Sequence, residues 1–203
     1  MSCGPDATKD PYSSIKFTYV KLTAFLLFLS TRVGDRMRAA IHLHVCFYKY
    51  NYPRIMIWKP NVTVAAVVEQ DGKFLLVEEQ TSGGVLFNQP AGHLEPNESI
   101  IQAAIRETLE ETSYTFTPQW VLGIYRWHSH ADNITFLRFA FSGFVSGHDP
   151  SRALDAGILR AAWFGPDEIR EMTYRHRSPL VMKCVEDHLA GKRYPLEILT
   201  HYD

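Results

Sequence analysis

Glu107, Glu110 and Glu111 stand close together inside "GHLEPNESIIQAAIRETLEETSY", Gly92 to Tyr114. Carboxylates at such spacing can hold a hard divalent cation or move a proton. They also stand at the end of what reads as one helix, where the negative end of the backbone dipole and their mutual repulsion both oppose them. At about 100° per residue, Ile101, Ala104, Ile105 and Thr108 share a core-facing stripe. The three glutamates fall in the arc next to that stripe rather than opposite it. A solvated acidic face is the plain explanation of charges on a helix, but this placement argues otherwise. The wrong helix end costs a few tenths to about 1 kcal/mol per charge, and the adjoining stripe draws the acids toward the domain body. A glycine-containing segment, "QPAGHLE", leads into the same helix and can bring backbone close to a ligand. A divalent cation resolves the conflict. Mg²⁺, or Mn²⁺ in its place, takes hard oxygen ligands, keeps several waters and bridges carboxylates to phosphate oxygens.

The elements that must position these acids are legible in outline. "NVTVAAVVEQDGKFLLVEEQ" reads as two strands joined at Asp71-Gly72, a strong hairpin signal. "VLFNQPAGHLEP" reads as a loop broken by Pro90 and Gly92. Asn97 is the expected N-cap of the helix, with Glu98 in its first turn. "QWVLGIYRWHS" and "ITFLRFAFSGFV" read as strands around a polar turn. "LRAAWFG" reads as a short strand before a helix in "PDEIREM", with Pro166 near its first turn. "SPLVMKCVEDHLAGK" is an amphipathic helix ended by Gly191. Strands and helices in this order predict an α+β fold, a mixed sheet covered on both faces.

The 203-residue chain is 46% apolar and 21% charged, ordinary for one globular domain with appendages. A net charge of -1 carries no bulk electrostatic footprint for nucleic acid or an anionic membrane. An anionic small molecule would then be held by local devices, a metal ion or a few placed arginines. The three cysteines, Cys3, Cys46 and Cys184, show no disulfide framework, which favours a reducing, cytoplasmic setting. The apolar run in "KLTAFLLFLS" is too short to span a bilayer, and it lacks the basic start and cleavage site of a signal peptide. His42, His44 and Cys46 alternate as on one strand face, but one strand seldom supplies a full metal-ligand set. Residues 1–55 read as an N-terminal extension, upstream of a natural start at Met56, and 56–203 as the domain proper.

The spacing of Gly92, Glu98, Arg106-Glu107 and Glu110-Glu111 resembles the Nudix box, which fixes six positions over some twenty residues. The resemblance implies a Nudix fold, an α/β/α sandwich, and Mg²⁺-dependent hydrolysis of a phosphoanhydride in a nucleoside diphosphate linked to another group. It implies that Glu107, Glu110 and Glu111 bind metal and activate water. It further implies that the Gly92 carbonyl approaches the metal, and that Glu98 and Arg106 form an ion pair orienting the glutamates. Two positions depart from the pattern. Thr108 stands where a bulky aliphatic residue is usual, and its hydroxyl can bond back to the Ala104 carbonyl. Ser113 stands where glycine is usual, and a left-handed serine there costs roughly 1 kcal/mol. Further segments, among them "KPNVTVAAVV", "NQPAGHLE", "FLRF" and "KRYPLE", are similar to a bacterial phosphatase group of the family. That likeness implies phosphate release from nucleoside tri- and diphosphates, from thiamine pyrophosphate and from its hydroxymethylpyrimidine pyrophosphate precursor. The alternatives are a general Nudix pyrophosphohydrolase and, from another class, a nucleotide-sensing module without turnover. The partner in each case is a small phosphorylated molecule, with the protein a monomer or homodimer.

Several residues are candidates for holding substrate. Arg138 lies mid-strand among apolar neighbours, where a charge needs a partner; it either aims a planar fork at phosphate oxygens or forms a structural ion pair or snorkels. Asn88 and Gln89 enter the glycine loop and could read a polar ring edge. Trp127 could stack on a ring or simply pack. Asp155, in the segment before the tryptophan strand, matches the place where some relatives recruit a further base or metal ligand. Arg177 and Ser178 precede the last helix, where backbone N–H groups can hold an anion, although capping by Ser178 is the plainer reading.

Overall fold

The computed structural model describes residues 58–202. Residues 1–55, the Met56 start and the His42, His44 and Cys46 pattern lie outside the described residues. Seven strands are described, β1 (Asn61–Gln70), β2 (Lys73–Thr81), β3 (Gly84–Asn88), β4 (Ala91–His93), β5 (Thr115–Ser129), β6 (Ile134–Ser146) and β7 (Ile158–Phe164). Three α-helices accompany them, α1 (Ile100–Thr112), α2 (Pro166–Glu171) and α3 (Leu180–Leu189). The strand order is β3-β2-β1-β6-β5, with β4 added to β1 and β7 to β2. β1 and β6 run parallel, and the remaining pairs are antiparallel, so the sheet is mixed as expected.

Period-two alternation splits the core into two layers. Ala65 and Val67 of β1 face one cluster with Leu76, Phe87, Ala140 and the α3 residues Val181, Cys184 and Val185. Val64, Ala66 and Val68 face the other, with Phe141 and the α1 residues Ala103 and Ala104. Both sheet faces are thereby covered by helices. Cys184 is wholly buried, and burial pushes its thiol up to about 11, which fits a small apolar filler. No helix among the described residues is long and apolar enough to cross a membrane.

The β1–β2 hairpin turns at Asp71-Gly72, both at positive φ, 51° and 75°, the conformation of a type I′ turn. Register between the two strands is confined to the turn end, Glu69 with Phe74 and Gln70 with Lys73. Beyond it β1 takes β4 as its neighbour while β2 takes β3 and β7. The fork where β1 and β2 part is where the site develops.

Two expectations about the helix approach are corrected. "VLFNQPAGHLEP" is not a loop throughout, since it forms β3 and β4 with Pro90 at the bend between them. Proline has no N–H to give a ladder, but its carbonyl accepts from Ala66 N–H at 2.9 Å. The N-cap of α1 is Ser99, not Asn97. Ser99 Oγ accepts from Gln102 N–H at 3.1 Å, and Gln102 Oε1 accepts from Ser99 N–H at 2.8 Å. This reciprocal capping box satisfies two backbone donors where Asn97 would satisfy one. Asn97 takes a turn at φ 68°, and Glu98 lies just before the helix instead of in its first turn. The two departures from the box pattern behave as expected. Thr108 Oγ1 donates to the Ala104 carbonyl at 2.7 Å, and Ser113 ends the helix at φ 60° in the left-handed region.

Candidate active site

Glu107 and Glu111 sit one turn apart on α1, each only 8% exposed, on the flank of the helix that meets β4. The Ala91 backbone N–H donates to Glu111 Oε2 at 2.8 Å. A Cβ added to Gly92 would overlap the Glu107 carboxylate, so only glycine lets that carboxylate lie against β4. Arg106 organises the cluster. Its Nε and Nη2 form a two-bond fork to Glu98 at 3.0 and 2.7 Å. Its Nη1 reaches Glu107 Oε1 at 2.8 Å and Glu110 Oε2 at 3.0 Å, and Nη2 also donates to the His93 carbonyl at 3.0 Å. Glu98 thus anchors the guanidinium that spaces two glutamates and ties α1 to β4.

Electrostatics mark the same residues. Burial pushes the Glu111 carboxyl up to about 8, and the charges of Glu107, Glu79 and Asp155 add to the shift. Burial likewise raises Glu107, against the pull of Arg106. The Arg106 fork and a backbone N–H from Glu95 hold the Glu98 carboxyl low. Asp155 is brought to the helix end, where its N–H donates to the Glu110 carbonyl at 3.1 Å. Glu107 and Glu111 therefore place two carboxylates at low exposure beside the more open Glu110 and Asp155, an arrangement a hard cation would relieve. Among the described residues no three acidic or imidazole side chains already converge as a cage. A Mg²⁺ ion needs no such cage, because it keeps several waters and takes one or two carboxylates. Glu107 and Glu111, with Glu110 and the backbone of Gly92, fit that demand.

Beside β4 opens a cavity of about 560 Å³, large enough for a nucleotide-sized ligand. Gly92, Asn88, Trp127 and Arg138 all line it, as do Arg177 and Ser178. Arg138 is 8% exposed, and burial lowers its pKa. Both its Nη atoms lie 3.5 Å from Asn88 Oδ1, at the limit of a hydrogen bond, and its buried Nε has no partner. Among the described residues Arg138 forms no ion pair within 4 Å, although the charges of Glu79 and Glu111 reach it. Trp127 stacks on Phe136, its cross-strand neighbour, with centroids 5.5 Å apart and planes 17° apart. The pair forms one wall, packed on itself and open to the cavity.

Gln89 is placed elsewhere. It is 1% exposed, and its Nε2 donates to the Val181 carbonyl at 2.8 Å, so it ties the β3–β4 bend to α3. Gln89 lies just past the end of β3, and this bond turns its side chain to α3 while Asn88 lines the cavity. Ser178 is not the N-cap of α3, which is Pro179, although its Oγ accepts from Leu180 N–H at 3.3 Å just ahead of the helix.

Two cavity residues were not singled out from the sequence. Thr63, 6% exposed, has a buried Oγ1 without a partner, and it neighbours Arg138 across β1–β6. Glu79 lies at the far end of β2. Its signal was the pair of glutamates closing the apolar run "FLLVEE", one of which must point inward by alternation.

Residues 58–184 match the family described as NUDIX domain. Phosphatase NudJ of Escherichia coli K12 is 40% identical over 147 residues, covering 72% of this chain and 95% of that protein. A Nudix hydrolase of Nitrosomonas europaea, known by structure, is 61% identical with a TM-score of 0.70, covering 71% of this chain and 98% of that one. The Nudix domain of Shewanella oneidensis NrtR, solved with ADP ribose, shares the fold at 18% identity and TM-score 0.54, covering 71% of this chain and 97% of that one.

Proposed function

The chain belongs to the Nudix hydrolase family, and on that premise we propose that it is a Mg²⁺-dependent, NudJ-like phosphatase. It would release phosphate from nucleoside tri- and diphosphates and from thiamine pyrophosphate or its hydroxymethylpyrimidine pyrophosphate precursor. The observation that carries this reading is the meeting of two chemistries at β4. The Glu107 and Glu111 carboxylates approach it from the helix, and Arg138, held only by long bonds to Asn88, lines the adjoining cavity. Glu107, Glu110, Glu111 and the Gly92 carbonyl would hold the metal. Bound Mg²⁺ supplies neutralising charge to the phosphoryl group and makes water a better nucleophile. A glutamate of the cluster, or Asp155, takes the proton as water attacks phosphorus. Arg106, itself held by Glu98, keeps the glutamates in place. Arg138 presents its planar fork to phosphate oxygens, Asn88 faces the substrate's polar edge, and Trp127 presents a stacking face. Most of the rate would come from positioning and charge neutralisation.

The domain proper runs from about Met56, two residues before the family match begins, and the reducing cytoplasm suits its cysteine usage. A sensing module without turnover is disfavoured by the complete set of box glutamates. The test is a panel of GTP, GDP, thiamine pyrophosphate and a dinucleoside polyphosphate with Mg²⁺, scored separately for phosphate and pyrophosphate. Phosphate from the first three supports the proposal. Pyrophosphate from GTP with GDP untouched would favour the general pyrophosphohydrolase instead.

A further inference from the structure

Three buried polar atoms that line or border the cavity have no hydrogen-bond partner: Thr63 Oγ1, Arg138 Nε and Glu79 Oε1. Buried polar groups are almost always paired, so such a convergence calls for an explanation. Arg138 is accounted for by phosphate. Glu79 is not, because a carboxylate in that place repels phosphate.

Regular pairing of β2 with β3, Glu79 opposite Leu86 and Glu78 opposite Phe87, sends the two glutamates to opposite faces, while the extra residue of the register shift against β7 is Leu159 on β7 itself. Glu78 is engaged by Arg160 and Arg175, each at 2.7 Å. Glu79 is paired with Arg177, whose Nε stands 3.2 Å from Oε1 without the alignment of a hydrogen bond, and it also feels the charge of Arg138. Arg177 is 48% exposed at its side chain, so water can serve it equally well. Oε1 is enclosed against Arg177, but the Glu79 side chain as a whole is 20% exposed and forms part of the cavity lining, where a carboxylate can accept from a ligand.

Its neighbour supplies the complementary group. Asn88 pairs with Val77 in the β2–β3 ladder, which makes Glu79 its diagonal neighbour on the same face. With Asn88 Oδ1 turned to Arg138, its Nδ2 is the remaining donor and has no partner among the described residues. A carboxylate acceptor beside an amide donor matches a flat ring edge that carries an exocyclic amino group next to an unprotonated ring nitrogen. The stacked Trp127 and Phe136 supply a wall of the same cavity for the ring face.

We propose that Glu79 is a specificity-determining residue, accepting a hydrogen bond from the amino group of an amino-heterocycle whose ring nitrogen is bound by Asn88. This rests on the phosphatase reading for the orientation of the substrate, and it selects among that reading's substrates. Cytosine, adenine and aminopyrimidine rings present the matching edge. Uracil and hypoxanthine present the reverse pattern, with a carbonyl oxygen facing the carboxylate and a ring N–H facing the amide donor.

The experiment measures binding, not turnover, so it stays informative whatever the enzyme hydrolyses. Dissociation constants for CMP and UMP, and for AMP and IMP, are taken by calorimetry on the wild-type chain and on Glu79→Gln. The amino member of each pair should bind the wild type roughly tenfold tighter, the penalty of leaving a buried polar group unpaired in the other. Glu79→Gln, which can turn an N–H₂ toward a carbonyl, should bring each ratio to about one or reverse it. Equal binding within the pairs by the wild type would overturn the proposal. So would a Glu79→Gln variant that weakens both members alike, the outcome of a purely structural tie to Arg177. Failure of phosphate release in the substrate panel would instead count against the phosphatase reading and leave these ratios standing.

Discussion

The Ala91 backbone N–H donates to Glu111 Oε2 at 2.8 Å, so the last turn of α1 is tied to the edge strand that borders the substrate cavity. This bond pulls the Glu111 acid down, yet burial outweighs it and leaves the carboxyl at about 8. The fold holds a charge-bearing group where charge is costly. Such a residue is kept for chemistry rather than for stability.

A pH signature follows. In the unfolded chain Glu111 titrates near 4.5, while in the folded chain it titrates near 8. Between these values the folded state binds more protons, so Glu111 makes stability fall as pH rises. In EDTA, the melting temperature of the wild type should fall more steeply from pH 5 to about 8 than that of Glu111→Gln. Glu107, also raised by burial, leaves part of the slope in the variant. Added Mg²⁺ should restore wild-type stability at the upper pH and do less for Glu111→Gln. Parallel melting curves with pH would show that Glu111 is not the group responsible.

Gly92 should tolerate no side chain. Its backbone is not at positive φ, so Gly92→Ala carries no conformational penalty there. The added Cβ overlaps the Glu107 carboxylate and must displace it. An ångström of misplacement in a reacting group costs about a hundredfold in rate. Steady-state kinetics should therefore show kcat down about a hundredfold, with circular dichroism and melting temperature close to wild type. Undiminished kcat would separate Glu107 from the chemistry.

Ser113 offers the opposite case, a change for stability alone. It holds φ 60° at the end of α1, is 2% exposed, and its buried Oγ has no partner. Ser113→Gly should relieve the left-handed strain and remove that hydroxyl, stabilising the domain by about 1 kcal/mol. Thermal denaturation should show a rise of roughly 2–4 °C with kcat and KM unchanged.

These residues also show how far the sequence could be read. The box helix and the Asp71-Gly72 hairpin were legible because each depends on spacing within one segment, whereas the Arg106–Glu98 pair was implied only by the family resemblance. The N-cap was misplaced by two residues because Asn97 and Ser99 are both good caps, and only the reciprocal bond to Gln102 decides between them. β4 was hidden by its brevity. Its strand character comes from β1, to which Thr63, Val64 and Ala65 bring the pairing. Gln89 and Asn88 look equivalent in a string, and only the folded bend separates them, with Gln89 bonded to the Val181 carbonyl and Asn88 lining the cavity. Glu79 and Thr63 were missed for a related reason. Glu79 left only the paired glutamates of "FLLVEE" as a signal, and Thr63 left none, since an unpartnered Oγ1 depends on what the fold brings around it.

The central claim is that the box glutamates carry metal-dependent hydrolysis, and one comparison addresses it directly. Phosphate release from GDP is measured at saturating Mg²⁺ for the wild type and Glu111→Gln, with circular dichroism on both. Glu111→Gln should lose roughly a hundredfold or more in kcat with the fold unchanged, since a metal-holding carboxylate underlies several kcal/mol of transition-state stabilisation. Wild-type turnover by Glu111→Gln at saturating Mg²⁺ would contradict it.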